Sequence, residues 1–188
     1  KKVTMKKPAK IDPKKRKGLI IVNTGDGKGK STASFGLALR AAGNKMNVFI
    51  MQFMKGPWKA GERKALKQLS SYIKYEAMGD GFTWDTNNPE QDKKTARKAF
   101  NIAKEKLMSG KYQMIVLDEI NYVLSYQFFP LDEFLKMLRS KPENVHVVCS
   151  GRNAPERLIE MADLVTEMRS IKHPYKDQKI PAQKGIEF

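Results

Sequence analysis

Cysteine is almost missing from this chain, with Cys149 the single one among 188 residues. It has no partner for an intramolecular disulfide, so the fold is expected to rest on packing alone in a reducing compartment such as the cytoplasm. Histidine is nearly as scarce, His146 and His173 being the two present. A zinc centre of Cys and His ligands therefore lacks its ligand set, and any metal must be held by oxygen. No stretch approaches the roughly 18 consecutive apolar residues of a membrane-spanning helix. The N-terminus carries charge without the apolar core of a secretory signal. A soluble protein away from the membrane is expected.

Acidic residues are also in short supply: 20 Asp and Glu face 36 Lys and Arg, a net charge of +16. Half of that excess sits in residues 1–17, where nine basic side chains meet Asp12 alone. With Pro8 and Pro13 and few large apolar residues, positions 1–16 read as a flexible basic arm ahead of one globular domain, 17–188. Such an arm suits nucleic-acid phosphate, but a solvated tail is the simpler reading, and nucleic acid is not the favoured partner. A third reading has the arm fold over a phosphate-bearing pocket.

From Gly18 the composition changes to GLIIVNT, a run rich in Ile and Val that reads as a strand buried on both faces. Glycines follow, and then Ser31–Ala42 carries Ala, Leu and Phe at helical spacing up to Gly43. Further strands are expected at 47–53, 73–77, 112–118, 145–149 and 164–168, with helices near 61–69, before Gly110, at 130–138 and at 154–161. Alternation of this kind predicts an α/β three-layer sandwich, a mostly parallel RecA-like P-loop sheet with helices on both faces.

Between first strand and first helix stands Thr24-Gly25-Asp26-Gly27-Lys28-Gly29-Lys30-Ser31. Its end matches the phosphate-loop pattern, although Thr24 occupies the place of the first glycine. Glycines at 25, 27 and 29 let backbone N–H groups turn inward around phosphate oxygens, and the helix adds its positive end. Lys30 would neutralise phosphate charge and the Ser31 hydroxyl would hold Mg²⁺. The apolar strand YQMIVL then ends in Asp118-Glu119, where P-loop proteins place acids beside the magnesium. Glu119 is the residue expected next to the metal. Asp118 either reaches it through water or holds Lys30 and Ser31 in place.

Together the segments TGDGKGKST, MQFMKG, MGDGFTW, VLDEINY, SGRNAPERLIEMADLVTEM and KHPYKDQKIPAQKGIEF resemble the P-loop family of cob(I)alamin (corrinoid) adenosyltransferases over about residues 17–188. That family's own loop is of the T-G-N-G-K-G-K-T-T kind, which accounts for Thr24 and leaves Asp26 and Ser31 as departures. The resemblance implies that Co(I) of a reduced corrinoid attacks the 5′ carbon of ATP and expels triphosphate. Mg²⁺ or Mn²⁺ is the implied metal, ATP the co-substrate and the corrinoid the substrate. It implies that ATP lies reversed in the loop, held by residues 24–31, Thr32, Arg40 and Arg152. Phe82 and Trp84 match aromatics that wedge below the corrin, displacing the lower axial ligand so that Co(II) is more easily reduced. Asn121 and Tyr122 are weaker candidates for the same cavity. A homodimer and an electron-donating flavoprotein reductase are the implied partners. A generic P-loop NTPase or kinase is the alternative reading, and it predicts ADP and phosphate in place of triphosphate.

Overall fold

The computed structural model describes residues 17–54, 61–78 and 88–187. Six strands, β1 (Ile20–Thr24), β2 (Val48–Gln52), β3 (Ile73–Ala77), β4 (Met114–Asp118), β5 (His146–Ser150) and β6 (Leu164–Glu167), form one sheet in the order β3-β2-β4-β5-β1-β6. Every pairing is parallel. β5 therefore stands between the strand that feeds the phosphate loop and the strand that ends in Asp118.

Parallel neighbours require crossovers, and helices supply them. Those described are α1 (Lys30–Gly43), α2 (Glu62–Gln68), α3 (Pro89–Met108), α4 (Ile120–Ser125), α5 (Leu131–Arg139), α6 (Glu156–Met161) and α7 (Pro174–Gln178). α3 shows how sequence sets an element. The Asn88 side chain accepts from Gln91 N at 3.2 Å, Pro89 follows with its fixed φ, Glu90 and Asp92 suit the positive end, and Lys106 suits the negative one. Ala96, Ala99, Phe100, Ala103 and Leu107 recur at helical spacing and are buried.

Side chains alternate across each strand, so the sheet has two apolar faces. Ile20, Val22, Phe49, Met51, Ile115, Leu117, Val147 and Cys149 pack with α3, α4, α5 and Leu158 of α6. Ile21, Val48, Ile50, Ile73, Met114, Val116 and Val148 pack under Phe35, Ala38, Ala41 and Ala42 of α1 and Leu66 of α2. The expected three layers are present, with the sheet parallel throughout. Edge strand β6 differs, all four of its residues being exposed.

Two short helices, α4 and α7, are absent from the sequence reading. α4 is INYVLS with its first five residues buried, so it lacks the polar face that would separate it from the strand before it. No helix among the described residues is long and apolar enough to cross a membrane.

Candidate functional site

The phosphate loop runs from Thr24 at the end of β1 to Lys30 at the start of α1. Gly25 and Gly29 have φ of 94° and 107°, left-handed values that a side chain would strain. Gly27 is required by crowding: a Cβ there would stand 2.7 Å from Met168 O and 2.8 Å from Arg169 C. The cause is the segment after β6, which backs the loop. Gly27 N donates to Met168 O at 2.6 Å, and Met168 N to Thr24 O at 2.8 Å. Helix α1 starts with no side-chain cap and no acidic residue in its first turn, which leaves its positive end facing the loop.

Lys30 is buried, and its ammonium donates to Gly27 O at 2.7 Å. Burial lowers its pKa, and the charges of Arg152 and Lys28 act the same way, while Glu119 and Asp26 oppose them. A buried cation folded back onto its own loop is poised for a stronger anion. Ser31 is half-buried, whereas Asp26, Lys28, Thr32 and Arg152 are exposed. Lys28 is paired with Glu187 at 2.8 Å, near the other end of the chain. The Thr24 hydroxyl accepts from Ala154 N at 3.1 Å, tying the loop to the SGRNA turn.

Glu119 follows β4 with φ 61° and precedes α4 without a side-chain cap to it. Burial, and next the charge of Asp118, push its carboxyl up to about 7, with Lys30 and Arg152 acting against the rise. Asp118 has a different place. Its side chain is fully buried, with Oδ1 accepting from Ser150 Oγ at 2.5 Å and Oδ2 from Gln52 Nε2 at 2.8 Å. Both oxygens are thus engaged by Ser150 and Gln52, and not by the Lys30 and Ser31 that the sequence reading gave Asp118 to hold. Ser150 Oγ in turn accepts from Glu119 N at 3.2 Å. Asn121 Nδ2 donates to Gly151 O at 3.0 Å, while its buried Oδ1 has no hydrogen-bond partner. A donor arriving with water or ligand would satisfy it.

The structure thus brings Thr24–Ser31, Asp118, Glu119 and Arg152 to the carboxyl ends of β1, β4 and β5. Arg40 is not among them: it lies in the last turn of α1, exposed, about 15 Å along the axis from Lys30. Phe82 and Trp84 lie outside the described residues. Gln52, Ser150 and Glu187 carry no signal in a single sequence, because each acquires its role from a residue distant along the chain.

Among the described residues no cluster of three or more His, Cys, Asp or Glu could hold a metal alone. The donors present, the Ser31 hydroxyl and the Glu119 carboxylate, are hard oxygens beside a phosphate loop. They fit Mg²⁺ or Mn²⁺, which shares its coordination between few protein groups, water and phosphate. A cation there would also hold the half-buried Glu119 carboxylate ionised.

An uncapped helix head behind a glycine loop, at the carboxyl end of a parallel sheet with an acid on the strand two places away, makes this a P-loop nucleotide-binding protein. Its size and fold leave the chemistry open, and comparison with known proteins resolves it. The chain belongs to the family described as ATP:corrinoid adenosyltransferase BtuR/CobO/CobP, whose model matches residues 16–188. A corrinoid adenosyltransferase of Sinorhizobium sp. is 47% identical over 174 residues, 92% of this chain and 81% of that one. Those of Escherichia coli K12 and Pseudomonas aeruginosa are each 40% identical over 172 residues, 92% of this chain and 86% and 84% of theirs.

Proposed function

We propose that this enzyme, an ATP-dependent corrinoid adenosyltransferase, uses the loop of residues 24–31 to grip the triphosphate of ATP in reversed orientation, so that the 5′ carbon faces the corrinoid. Co(I) of the reduced substrate supplies the electron pair. A cobalt–carbon bond forms, the C5′–O bond breaks, and triphosphate leaves with the bonding electrons.

The observation that carries this reading is the concentration of positive potential at the loop with, among the described residues, no cysteine or histidine beside it to serve as nucleophile or base, the one acid there, Glu119, being taken by the metal. Cys149 is fully buried with its thiol pushed up to about 12. His146 starts β5, at the end of the sheet away from the loop, and His173 is committed to capping α7, its Nδ1 accepting from Tyr175 N at 3.2 Å. A substrate that brings its own nucleophile needs positioning and stabilisation of the departing charge instead. Lys30 exchanges Gly27 O for a phosphate oxygen, the amides of residues 25–31 and the head of α1 take others, and Lys28 and Arg152 lie at the rim. A divalent ion held by Ser31 and Glu119 would neutralise triphosphate charge as it develops. Phe82 and Trp84 form the apolar wedge under the corrin, and the working unit is a homodimer supplied with electrons by a flavoprotein reductase.

The test is anaerobic incubation with chemically reduced corrinoid, ATP and Mg²⁺. A light-sensitive organocobalt spectrum with stoichiometric triphosphate supports the reading. ADP and phosphate as products would replace it with that of an ordinary NTPase.

A further inference from the structure

Beside the loop, a line of polar side chains crosses the sheet on the face covered by α1 and α2. Gln52 pairs in register with Asp118, and Ser150 follows Cys149, the partner of Leu117. By strand alternation these three and Tyr75 point to the side of Ile50, Val116, Val148 and Ile73, the α1 and α2 face. Arg63 lies on α2. The contacts are continuous: Arg63 Nε donates to Tyr75 Oη at 2.8 Å, Tyr75 Oη to Gln52 Oε1 at 2.7 Å, and Gln52 Nε2 to Asp118 Oδ2 at 2.8 Å. From the other oxygen the line continues through Ser150 Oγ to the amide of Glu119.

The two charged members fix the direction of every bond. Asp118 accepts from both of its neighbours, so Gln52 presents its NH₂ to Asp118, which turns its carbonyl toward Tyr75. The tyrosine must then donate to Gln52, leaving a lone pair for Arg63, a pure donor. Arg63 also lies over the Tyr75 ring, 5.3 Å from its centroid. On the far side Ser150 must donate to Asp118, which leaves its lone pair for Glu119 N. No other assignment satisfies all the groups, so one end of the line constrains the other.

We propose that Tyr75 and Gln52, anchored by Arg63, are positioning residues for the nucleotide-side carboxylates. They lock the rotamer of Asp118, which through Ser150 holds the left-handed turn at Glu119 and so aims that carboxylate at the metal. None of the three touches substrate. The inference rests on the reading of Glu119 as the metal-side acid.

The test uses Tyr75→Phe, which removes one hydroxyl and keeps the ring under Arg63, with Gln52→Met, the double variant, and Arg63→Met at the outer end of the line. Mn²⁺ binding to the ATP complex is followed by electron paramagnetic resonance without corrinoid. Turnover is measured separately with pre-reduced corrinoid, and folding is checked by thermal unfolding. Tyr75→Phe is expected to weaken Mn²⁺ about three- to tenfold, the loss of one net hydrogen bond. The KM for corrinoid should stay unchanged, and the rate should recover at high Mg²⁺. The double variant should be no worse than Gln52→Met alone, because both break one line. Unchanged Mn²⁺ affinity in Tyr75→Phe and Arg63→Met, or additive losses in the double variant, would overturn the proposal. Glu119→Gln separates the two levels. If it abolishes Mn²⁺ binding while Tyr75→Phe leaves it intact, the relay fails and the metal reading stands; if Glu119→Gln also binds Mn²⁺ normally, both fall.

Discussion

Lys28 Nζ lies 2.8 Å from Glu187 Oε1, so a lysine of the phosphate loop is held by a carboxylate drawn from the far end of the chain. That carboxylate occupies the cation where a phosphate oxygen would bind. An exposed pair of this kind is worth roughly 0–1 kcal/mol. Glu187→Gln should therefore tighten ATP, lowering its KM by up to about fivefold with kcat little changed. A raised KM would show instead that Glu187 orients Lys28 for the nucleotide.

Lys30 is buried and donates to Gly27 O, a contact that the proposed phosphate oxygen would replace. Lys30→Met keeps the volume and removes the charge, and should cut kcat/KM about 100- to 1,000-fold, the usual cost of losing one preorganised electrostatic contact. The assay is adenosylation of pre-reduced corrinoid, so that reduction does not limit the rate.

Glu119 gives a stability signature opposite to its functional one. Its carboxyl is pushed up to about 7 from an ordinary 4.5 in the folded protein, so the folded state binds the extra proton. The associated stability is complete below pH 4.5 and is lost as pH rises through 7. Glu119→Gln removes the ionising group. Without nucleotide or metal, its melting temperature should exceed that of the parent by a margin that grows from pH 5 to pH 8, while its transferase activity is lost. A margin independent of pH would count against a carboxylate whose burial outweighs the cations beside it.

Gly27 is held by contact, not by phosphate alone. Gly27→Ala must displace Met168 O or the Arg169 backbone, and about 1–3 kcal/mol of stability should go with it. Thermal unfolding of the protein without nucleotide measures this, and an unchanged midpoint would mean that the segment after β6 yields freely.

For the wedge, the Phe82→Ala, Trp84→Ala double variant should adenosylate pre-made Co(I) corrinoid yet fail when it starts from Co(II). Equal loss in both assays would point to a folding defect in place of a reduction defect.

How much of this was legible in the sequence follows from the range of each interaction. Ile20 to Ser31 declares itself locally, because a strand buried on both faces must be continuously apolar and a turn this tight must be glycine-rich. The six strands and the longer helices are likewise encoded within a few residues of themselves. α4 escaped because its buried sequence has no contrast with β4, and Arg40, plausible as a nearby cation, proved to lie nearly three helical turns from Lys30.

Sequence by itself determined the parallel α/β layering, the phosphate loop, the acidic strand end and the family, since each is written in contiguous residues. Only the tertiary structure decided that Asp118 is spent on Ser150 and Gln52 while Glu119 stays with the cations, and that the loop glycines answer to Met168. Those outcomes depend on strand order and register, which bring together residues 66, 32 and more than 140 positions apart. The pairing of distant polar groups is fixed only when the sheet closes and water is excluded, because only then does an unpaired buried donor or acceptor become costly enough to choose its partner.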